Sequence, residues 1–184
     1  MENIFFDISK LKSCGTNVII GKTVRIRYPE LVEIGDNVII DDFTYISTSL
    51  KLHSNIHISS GCKIIGGKNA FVEMFPFSTL APNVVLSAGS DDYKDGVATP
   101  MVPLEFKANA IIGKIIINKH CILGANSVVL PNVIFNEGAT LGALSLAIKD
   151  LEEYTVHAGI PAKPIKARNK LNILKLEQQF YDKS

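Results

Sequence analysis

The chain carries a six-residue repeat through most of its length. From Ile34 it reads in consecutive blocks, IGDNVI, IDDFTY, ISTSLK, LHSNIH and ISSGCK, and each block opens with an aliphatic residue. The repeat returns at about Ile111 and continues to Ile148. A period of six fits neither an amphipathic helix, with apolar residues about 3.6 apart, nor an alternating strand. It fits a chain that runs straight, turns a corner and repeats, so it predicts a solenoid.

Three straight sides and three corners would make one coil of about 18 residues, with the leading Ile, Leu or Val of each block pointing inward. Stacked coils would align these side chains in aliphatic ladders, for which β-branched residues are well suited. Gly35, Asn37 and Gly124 lie where corners need unusual backbone angles. A β-sandwich of many short strands does not account for a repeat that keeps its phase for so long. We therefore predict an all-β chain that forms a parallel β-helix.

The repeat also indicates how the chain is organised. A single domain is expected over residues 1–184. The β-helix is predicted over about 18–168, with a loop at about 87–110 where the repeat stops. A loop of this length inside a compact repeat is commonly functional. Apolar residues at helical spacing predict a short C-terminal helix over about 169–184, which we expect to cap the open end of the solenoid.

Charge and hydropathy argue against several classes of partner. Lys and Arg number 19 against 18 Asp and Glu, so the formal net charge is +1 and no overall field favours nucleic acid. No segment approaches the roughly 20 apolar residues of a membrane span, and the sequence shows no signal-peptide pattern. Cys14, Cys62 and Cys121 are odd in number and far apart, which favours free thiols over disulfides. These features predict a cytoplasmic protein.

Several features together resemble the hexapeptide-repeat acyltransferases: two repeat runs in phase, the interrupting loop, the segment LGANSVVLPNVIFNEGATLGALSLAIKDL and the ending AGIPAKPIKAR. The resemblance covers Ile34 to Arg168 and is strongest to galactoside, maltose and xenobiotic acetyltransferases. It implies a left-handed β-helix and a homotrimer that binds acetyl-CoA in a groove between adjacent copies. The acetyl group would pass directly to a sugar hydroxyl or amine, in surface-polysaccharide or nucleotide-sugar metabolism.

The resemblance also assigns residues to acetyl-CoA. Ala125 and Ala143 fall where the family runs the pantetheine arm, one coil apart because 143 − 125 = 18. Ile148 and Lys149 match the stretch beside the adenosine. A basic cluster after a proline-stiffened turn suits phosphates, although such charges could equally be ordinary solvated side chains. The matching positions near the nucleotide phosphates are Lys163, Lys166 and Arg168.

The sequence departs from the family at the general base. The resemblance implies a His at the start of the long loop, but this chain has Asp91, followed by Asp92 and Tyr93. An Asp of ordinary pKa would be a weak base, although burial or the neighbouring carboxylate could raise that pKa. We therefore favour His57 as the base, with Asp91 or Asp92 as the alternatives, because by position His57 neighbours the family's acceptor pocket, where Ser59 matches a polar residue. A neighbouring copy would then present His57 to Asp91.

The acceptor and two competing functions stay open at this level. Carboxylates accept hydrogen bonds and aromatic rings stack on sugars, so Tyr93 and its neighbours favour a saccharide over an antibiotic. Oxygen or nitrogen acylation, and acetyl or a longer acyl donor, are undecided. The competing functions are a non-catalytic β-helix scaffold and a zinc enzyme of the carbonic anhydrase type, with His57 and His120 as ligands. No close histidine accompanies His120 on the later coils, so we predict no metal site.

Overall fold

The computed structural model describes residues 6–97, 99 and 101–183, and these residues form a left-handed parallel β-helix. The described strands are β1 (Ser13–Cys14), β2 (Val18–Ile20), β3 (Arg25–Ile26), β4 (Val32–Ile34), β5 (Val38–Ile40), β6 (Tyr45–Leu52), β7 (Ile56–Ile58), β8 (Lys63–Met74), β9 (Thr79–Leu80), β10 (Val85–Ser87), β11 (Gly89–Ser90), β12 (Ile111–Ile112), β13 (Lys114–Ile117), β14 (Ile122–Leu123), β15 (Val128–Val129), β16 (Ile134–Phe135), β17 (Thr140–Leu141), β18 (Leu146–Ala147), β19 (Thr155–Gly159) and β20 (Ala162–Ala167). The α-helix α1 spans Lys170–Tyr181, and short 3-10 turns occupy Ile8–Lys10, Pro29–Leu31 and Leu104–Phe106. The predicted fold class is confirmed.

The strands stack into three faces of a prism, which the chain crosses in the order A, B, C. Face A contains β3, β10, β15 and β18, face B contains β1, β4, β13 and β16, and face C contains β2, β5, β7, β9, β14, β17 and β19. The long strands β6 and β8 bend through a corner and pair on both face A and face B. Val38 pairs with Ile56, and 56 − 38 = 18, so the regular coil has the predicted length. Corners are named by the two faces that they join. Coils are counted from the N-terminus, each beginning on face B, so that β1, β2 and β3 belong to the first coil.

Aliphatic side chains fill the interior of the prism. The ladder behind face C is fully buried and consists of Ile20, Ile40, Ile58, Leu80, Leu123 and Leu141. Behind faces A and B, the buried side chains include Ile46, Ile64, Leu86, Leu52, Met74, Ile117 and Phe135. Each such side chain contributes about 1.5–3 kcal/mol when it leaves water. Because these side chains occupy the space between the faces, a ligand site must lie on an outer face or at a corner.

The corners use asparagine for their backbone angles and glycine for close packing. Asparagines in the left-handed region, with φ between 53° and 66°, are Asn17, Asn37, Asn55, Asn83, Asn126 and Asn132. Gly35 and Gly124, expected to supply unusual angles, do not have positive φ. A Cβ on Gly35 would lie 2.9 Å from the carbonyl carbon of His53, and one on Gly124 would clash with the backbone nitrogen of Ala143. These glycines therefore allow one coil to approach the next.

The long loop leaves the prism at the A–B corner, between β10 and β13. Strands β11 and β12 pair in antiparallel register and close its base. The excursion lies close to the predicted range of 87–110, although Ala98 and Pro100 fall outside the described residues. The loop is therefore anchored to the scaffold at both ends.

Helix α1 lies along the B–C corner and does not cap the open end, so that expectation was wrong. Glu177 is 2.8 Å from His120 through Oε2 and Nε2, and the rings of Phe180 and Phe77 meet edge to face at 5.5 Å. The reason is the turn between β19 and β20, which pair antiparallel and so return the chain across face C to the B–C corner. Strand β20, not the helix, covers the edge of β19. None of the described helices is both long and apolar enough to cross a membrane.

Candidate active site

The predicted site residues fall on two corners of the prism, one on either side of face A. The C–A corner, including the adjoining end of face C, carries His57, Ser59, Ala125 and Ala143. The A–B corner carries Asp91, Asp92, Tyr93, Ile148 and Lys149. Within one chain, face A separates the two sets. The expected pairing of His57 with Asp91 therefore does not occur inside a single copy.

His57 is paired with a carboxylate that sequence reasoning missed. It is the middle residue of β7, and its side chain points outward because Ile56 and Ile58 on either side are buried. Its Nε2 lies 2.8 Å from Oδ2 of Asp41, with the two side chains 47% and 42% exposed. Asp41 precedes Ser59 by one coil, since 59 − 41 = 18, and this spacing was the available signal. A solvent-accessible imidazole oriented by a carboxylate has the geometry of a general base.

Ala125 and Ala143 form a smooth strip at the C–A corner. The backbone N–H of Leu144 donates to the carbonyl of Ala125 at 2.9 Å, which stacks the fifth coil on the sixth. Ala125 is half-buried and Ala143 is exposed. Ser59 belongs to the third coil, so the distance from Ser59 to Ala143 along the prism is about 14 Å at the usual strand spacing. The strip offers small side chains and accessible backbone groups to an extended ligand.

Asp91 lies in a cleft between the loop and the A–B corner, and its carboxylate is already paired. Lys107 Nζ donates to Asp91 Oδ1 at 3.0 Å, and the lysine side chain is only 12% exposed. The cleft has a volume of about 480 Å³. Its lining includes Gly66, Gly67, Ser90, Leu104 and Ile111. Asp91 thus presents an ion-paired carboxylate to the cleft, where it can accept hydrogen bonds from a polar ligand.

Asp92 stabilises the loop, and its contacts argue against its predicted role as a base. Its Oδ1 accepts from the backbone N–H groups of Lys94 and Asp95, at 2.9 and 3.2 Å. Its Oδ2 accepts from the backbone N–H and the side-chain amide of Asn109, both at 3.2 Å. These backbone hydrogen bonds lower the pKa of Asp92 and so weaken it as a base. Tyr93, next in the chain, is 90% exposed.

The residues predicted to hold the nucleotide part of CoA are mostly exposed. Ile148 is 45% exposed and Lys149 is exposed beside it, while Lys163 and Lys166 are exposed on β20. Arg168 does not join this cluster, which corrects the prediction. Its Nη1 donates to the carbonyl oxygens of His120 and Gly138 at 2.7 and 2.6 Å. Arg168 therefore ties the end of β20 to the B–C corner instead of facing phosphate.

The cysteines and the other histidines have structural environments. Burial raises the pKa of Cys62 to about 11 and that of Cys121 to about 12, so both thiols are protonated and unsuited to nucleophilic attack. His120 stacks on Phe77 at a centroid distance of 5.3 Å as well as contacting α1. His157 is only 4% exposed. Across the residues that the structure describes, no group of three or more His, Cys, Asp or Glu is placed to hold a metal ion.

Comparison with known proteins decides the family. No protein-family model matches the chain. A dTDP-4-amino-4,6-dideoxy-D-glucose acyltransferase of Escherichia coli is 39% identical over 174 residues, which cover 92% of this chain and 88% of that protein. This chain belongs to the sugar acyltransferases of the hexapeptide-repeat type. The predictions of an acyltransferase and of a sugar as its substrate class are thereby confirmed, whereas the roles of individual residues stay predictions.

Solved structures agree with this assignment. The acyltransferase matches AntD, an N-acyltransferase from Bacillus cereus, with a TM-score of 0.92, 33% identity and complete coverage of both chains. AntD has been solved with dTDP-4-amino-4,6-dideoxyglucose and coenzyme A, and with dTDP and 3-hydroxybutyryl-CoA. A maltose O-acetyltransferase from Clostridium difficile 630 is 16% identical, with a TM-score of 0.57, and covers 88% of this chain and 72% of its own. That second likeness shows the fold alone.

Replacing Asp92 tests its structural role. Asp92→Ala removes four hydrogen bonds to the loop, so we expect several-fold faster cleavage of the loop in limited proteolysis followed by mass spectrometry. Asp95→Ala is the matched control, because Asp95 lies in the same loop and its carboxylate forms a long ion pair with Lys94, at 3.9 Å, while the substitution leaves its backbone N–H in place. Equal cleavage of both variants would contradict the role.

The hydrogen bonds of Asp92 also predict how the stability of the loop depends on pH. Folding lowers the pKa of Asp92, chiefly through the hydrogen bond from the Lys94 backbone. Its stabilisation is therefore present above the unfolded pKa of about 3.9 and is lost as the pH falls through the lower folded value. The loop of the wild-type acyltransferase should accordingly stay resistant to proteolysis from neutral pH down to about 4.

Proposed function

We propose that the enzyme transfers an acyl group from an acyl-CoA to the amine of a nucleotide-linked amino sugar. The observation that carries this proposal is the match of the whole chain to AntD, which binds both a dTDP-linked amino sugar and CoA. The E. coli relative acts on the same class of sugar. The geometry supports the proposal because the His57–Asp41 pair and the alanine strip lie along one corner. The predicted CoA donor agrees with the AntD complexes.

The reaction would be a direct transfer with His57 as the base. The amine nitrogen attacks the thioester carbonyl carbon, and the carbon–sulfur bond then breaks to release the CoA thiolate. His57 accepts the proton that the amine loses and returns it to the thiolate sulfur, while Asp41 orients the imidazole. The thioester is already activated, so holding donor and acceptor together supplies much of the rate. Asp91, Ser59 and Tyr93 are assigned to the sugar.

We infer that the active site forms between copies in a homotrimer. In one chain the alanine strip, Ala125 and Ala143, lies on the C–A corner, whereas Ile148, Lys149 and the loop lie on the A–B corner. A second copy that brings its A–B corner against the C–A corner of the first would unite the two sets. Face A offers an apolar surface for such contact, because its outward residues in the later coils are the partly buried Val85, Val128, Leu130 and Leu146.

We place the reaction in the cytoplasm and its product among the precursors of surface polysaccharide. All three cysteines are free, and Cys14 is partly exposed, as expected of a protein in a reducing compartment. A putative lipopolysaccharide O-acetyltransferase of Escherichia coli K12 is 28% identical over 125 residues, which supports the polysaccharide context. Both placements rest on the proposed reaction.

Substitution of His57 tests the assignment of the base. His57→Ala should lower kcat at least about 100-fold, a typical contribution of general base catalysis, with little change in the KM for acyl-CoA. Asp41→Asn keeps the imidazole but loses its orienting charge, so we expect a smaller loss. His53→Ala is the control, since His53 also pairs with a carboxylate, Glu73 at 2.9 Å, but lies on the B–C corner. Unchanged turnover in His57→Ala would move the base to Asp91.

Mixed trimers test whether the site is shared. His57→Ala subunits and Asp91→Ala subunits, each expected to be strongly impaired alone, should together exceed the activity of either variant when they are unfolded and reassembled as a mixture. Recovery is expected because some sites then combine an intact His57 corner with an intact loop from the neighbouring copy. Failure to recover activity in assemblies shown to contain both subunits would place both residues within one copy and contradict the shared site.

Removal of two lysines tests the phosphate cluster. Lys163→Ala with Lys166→Ala should raise the KM for acyl-CoA about tenfold or more, because charge-assisted contacts to phosphate are lost. The loss should be smaller with a dephospho-CoA thioester. Lys175→Ala removes an exposed lysine from α1 and serves as the control. Equal losses with both donors would exclude contact between these lysines and the 3′-phosphate.

A further inference from the structure

Cations and aromatic rings are concentrated on the outer surface of face A in the first three coils. Arg25, Tyr45 and Lys63 are neighbours in register, since Arg25 pairs with Tyr45 and Tyr45 pairs with Lys63. Their side chains therefore form one column across three coils, with a span of about 10 Å. Arg25 lies over the ring of Tyr45 at 5.8 Å, and Arg27 lies over the ring of Tyr28 at 5.6 Å.

These cations differ from those on face B of the same coils. On face B, Lys12 pairs with Glu33 at 2.8 Å and Lys51 pairs with Glu73 at 3.4 Å, so positive and negative charges alternate. On face A, none of the described carboxylates lies within ion-pair distance of Arg25, Arg27 or Lys63. Three cations on one face without a carboxylate partner favour an anionic ligand.

An exposed aromatic residue stands at the adjoining C–A corner. Phe43 is 72% exposed and has a φ of 63°, a left-handed conformation that is unfavourable for a bulky residue. The equivalent corner positions in the following coils are Gly61, Asn83 and Asn126, residue types that suit this conformation, and then Leu144, which has a φ of 55° and is 69% exposed. What distinguishes Phe43 from Leu144 is its aromatic ring, which is exposed beside the cations of face A and can stack on another flat ring.

The corner also connects these residues to the proposed base. Lys63 Nζ donates to the carbonyl of Gly61 at 2.9 Å, which holds the ammonium at the C–A corner. His57 and Asp41 lie at this corner in the third and second coils. The other nearby carboxylate, Asp42, accepts from the backbone and hydroxyl of Thr23, both at 2.8 Å. Both carboxylates are thus engaged by neighbouring groups, and neither forms an ion pair with the cations of face A.

We propose that the face A patch, defined as Arg25, Arg27, Phe43, Tyr45 and Lys63, binds the nucleoside diphosphate of the sugar substrate. The proposal rests on the proposed function and assigns its nucleotide subsite. The guanidinium and ammonium groups bind the two phosphates, and an aromatic ring stacks on the base. The sugar attached to the second phosphate then extends along the corner toward His57.

This placement keeps the two nucleotides of the reaction apart. Lys163 and Lys166 belong to the strand that covers the seventh coil, about 20 Å along the prism from the third coil. The alanine strip lies between these two groups of cations. CoA would therefore approach His57 from one end of the corner and the nucleotide-linked sugar from the other. Neither substrate has to leave before the other binds.

The test measures binding of dTDP by calorimetry. Arg25→Gln with Arg27→Gln should weaken dTDP at least about tenfold, whereas the affinity for CoA stays at the wild-type value. Lys12→Gln with Lys51→Gln is the matched control, because it also removes two cations from the first three coils, but from face B. Phe43→Ala should weaken both dTDP and thymidine, since stacking does not need the phosphates. Thermal unfolding of each variant checks that the coils are intact.

Two readouts separate this proposal from the proposed function. If the double arginine variant binds dTDP as tightly as the wild type, or if the wild-type affinity for dTDP does not fall with added salt, the patch proposal is overturned. Acyl transfer by the wild-type enzyme from acetyl-CoA to a dTDP-linked amino sugar would in that case still support the proposed function. Absence of transfer to any dTDP-linked amino sugar would overturn the proposed function itself.

Discussion

The stacking of aliphatic side chains from one coil onto the next is the interaction on which the structure depends. Each inward Ile, Leu or Val lies above its counterpart in the next coil, 18 residues away where the coil is regular, and the parallel backbones pair their hydrogen-bonding groups. Because this packing fills the prism, chemistry is confined to its outer surface. The histidine, the carboxylates and the lysines with proposed roles accordingly lie at corners, on outward positions of strands, or in the loop. Scaffold and site are thus built from alternate positions of the same strands.

The sequence was sufficient for the fold because a six-residue period is a local property that reports directly on corner spacing. It was less informative wherever the chain leaves that period. The position of α1 depends on the antiparallel pairing of β19 with β20, and a repeat of parallel coils does not encode such a reversal. Arg168 was misassigned for the same reason. Its carbonyl partners belong to residues 48 and 30 positions earlier, so its contacts could not be inferred from neighbouring sequence.

In the candidate site, too, the contacts within the regular coils could be predicted from the repeat, whereas those of the loop could not. The partnership of Asp41 with His57 was open to prediction, because residues one coil apart are neighbours in space. The behaviour of Asp91 and Asp92 was not, since it depends on hydrogen bonds that form only once the loop has folded. Adjacent carboxylates suggested mutual perturbation of their pKa values. Instead, Lys107 pairs with one, and backbone amides hold the other. This chain lacks the loop histidine that the family resemblance implies. The proposed base, His57, therefore lies on the opposite side of face A from the loop.

The antiparallel strand β20 has a consequence for self-association. A solenoid that ended on the bare edge of β19 would expose unpaired backbone groups in parallel register, and the first coil of another molecule could extend it. β20 occupies that edge. It carries Pro164, which follows Lys163, and a second lysine, Lys166. Proline cannot donate to a further strand, and lysines repel a like-charged neighbour. The same lysines would thus discourage fibre growth from the end of the prism.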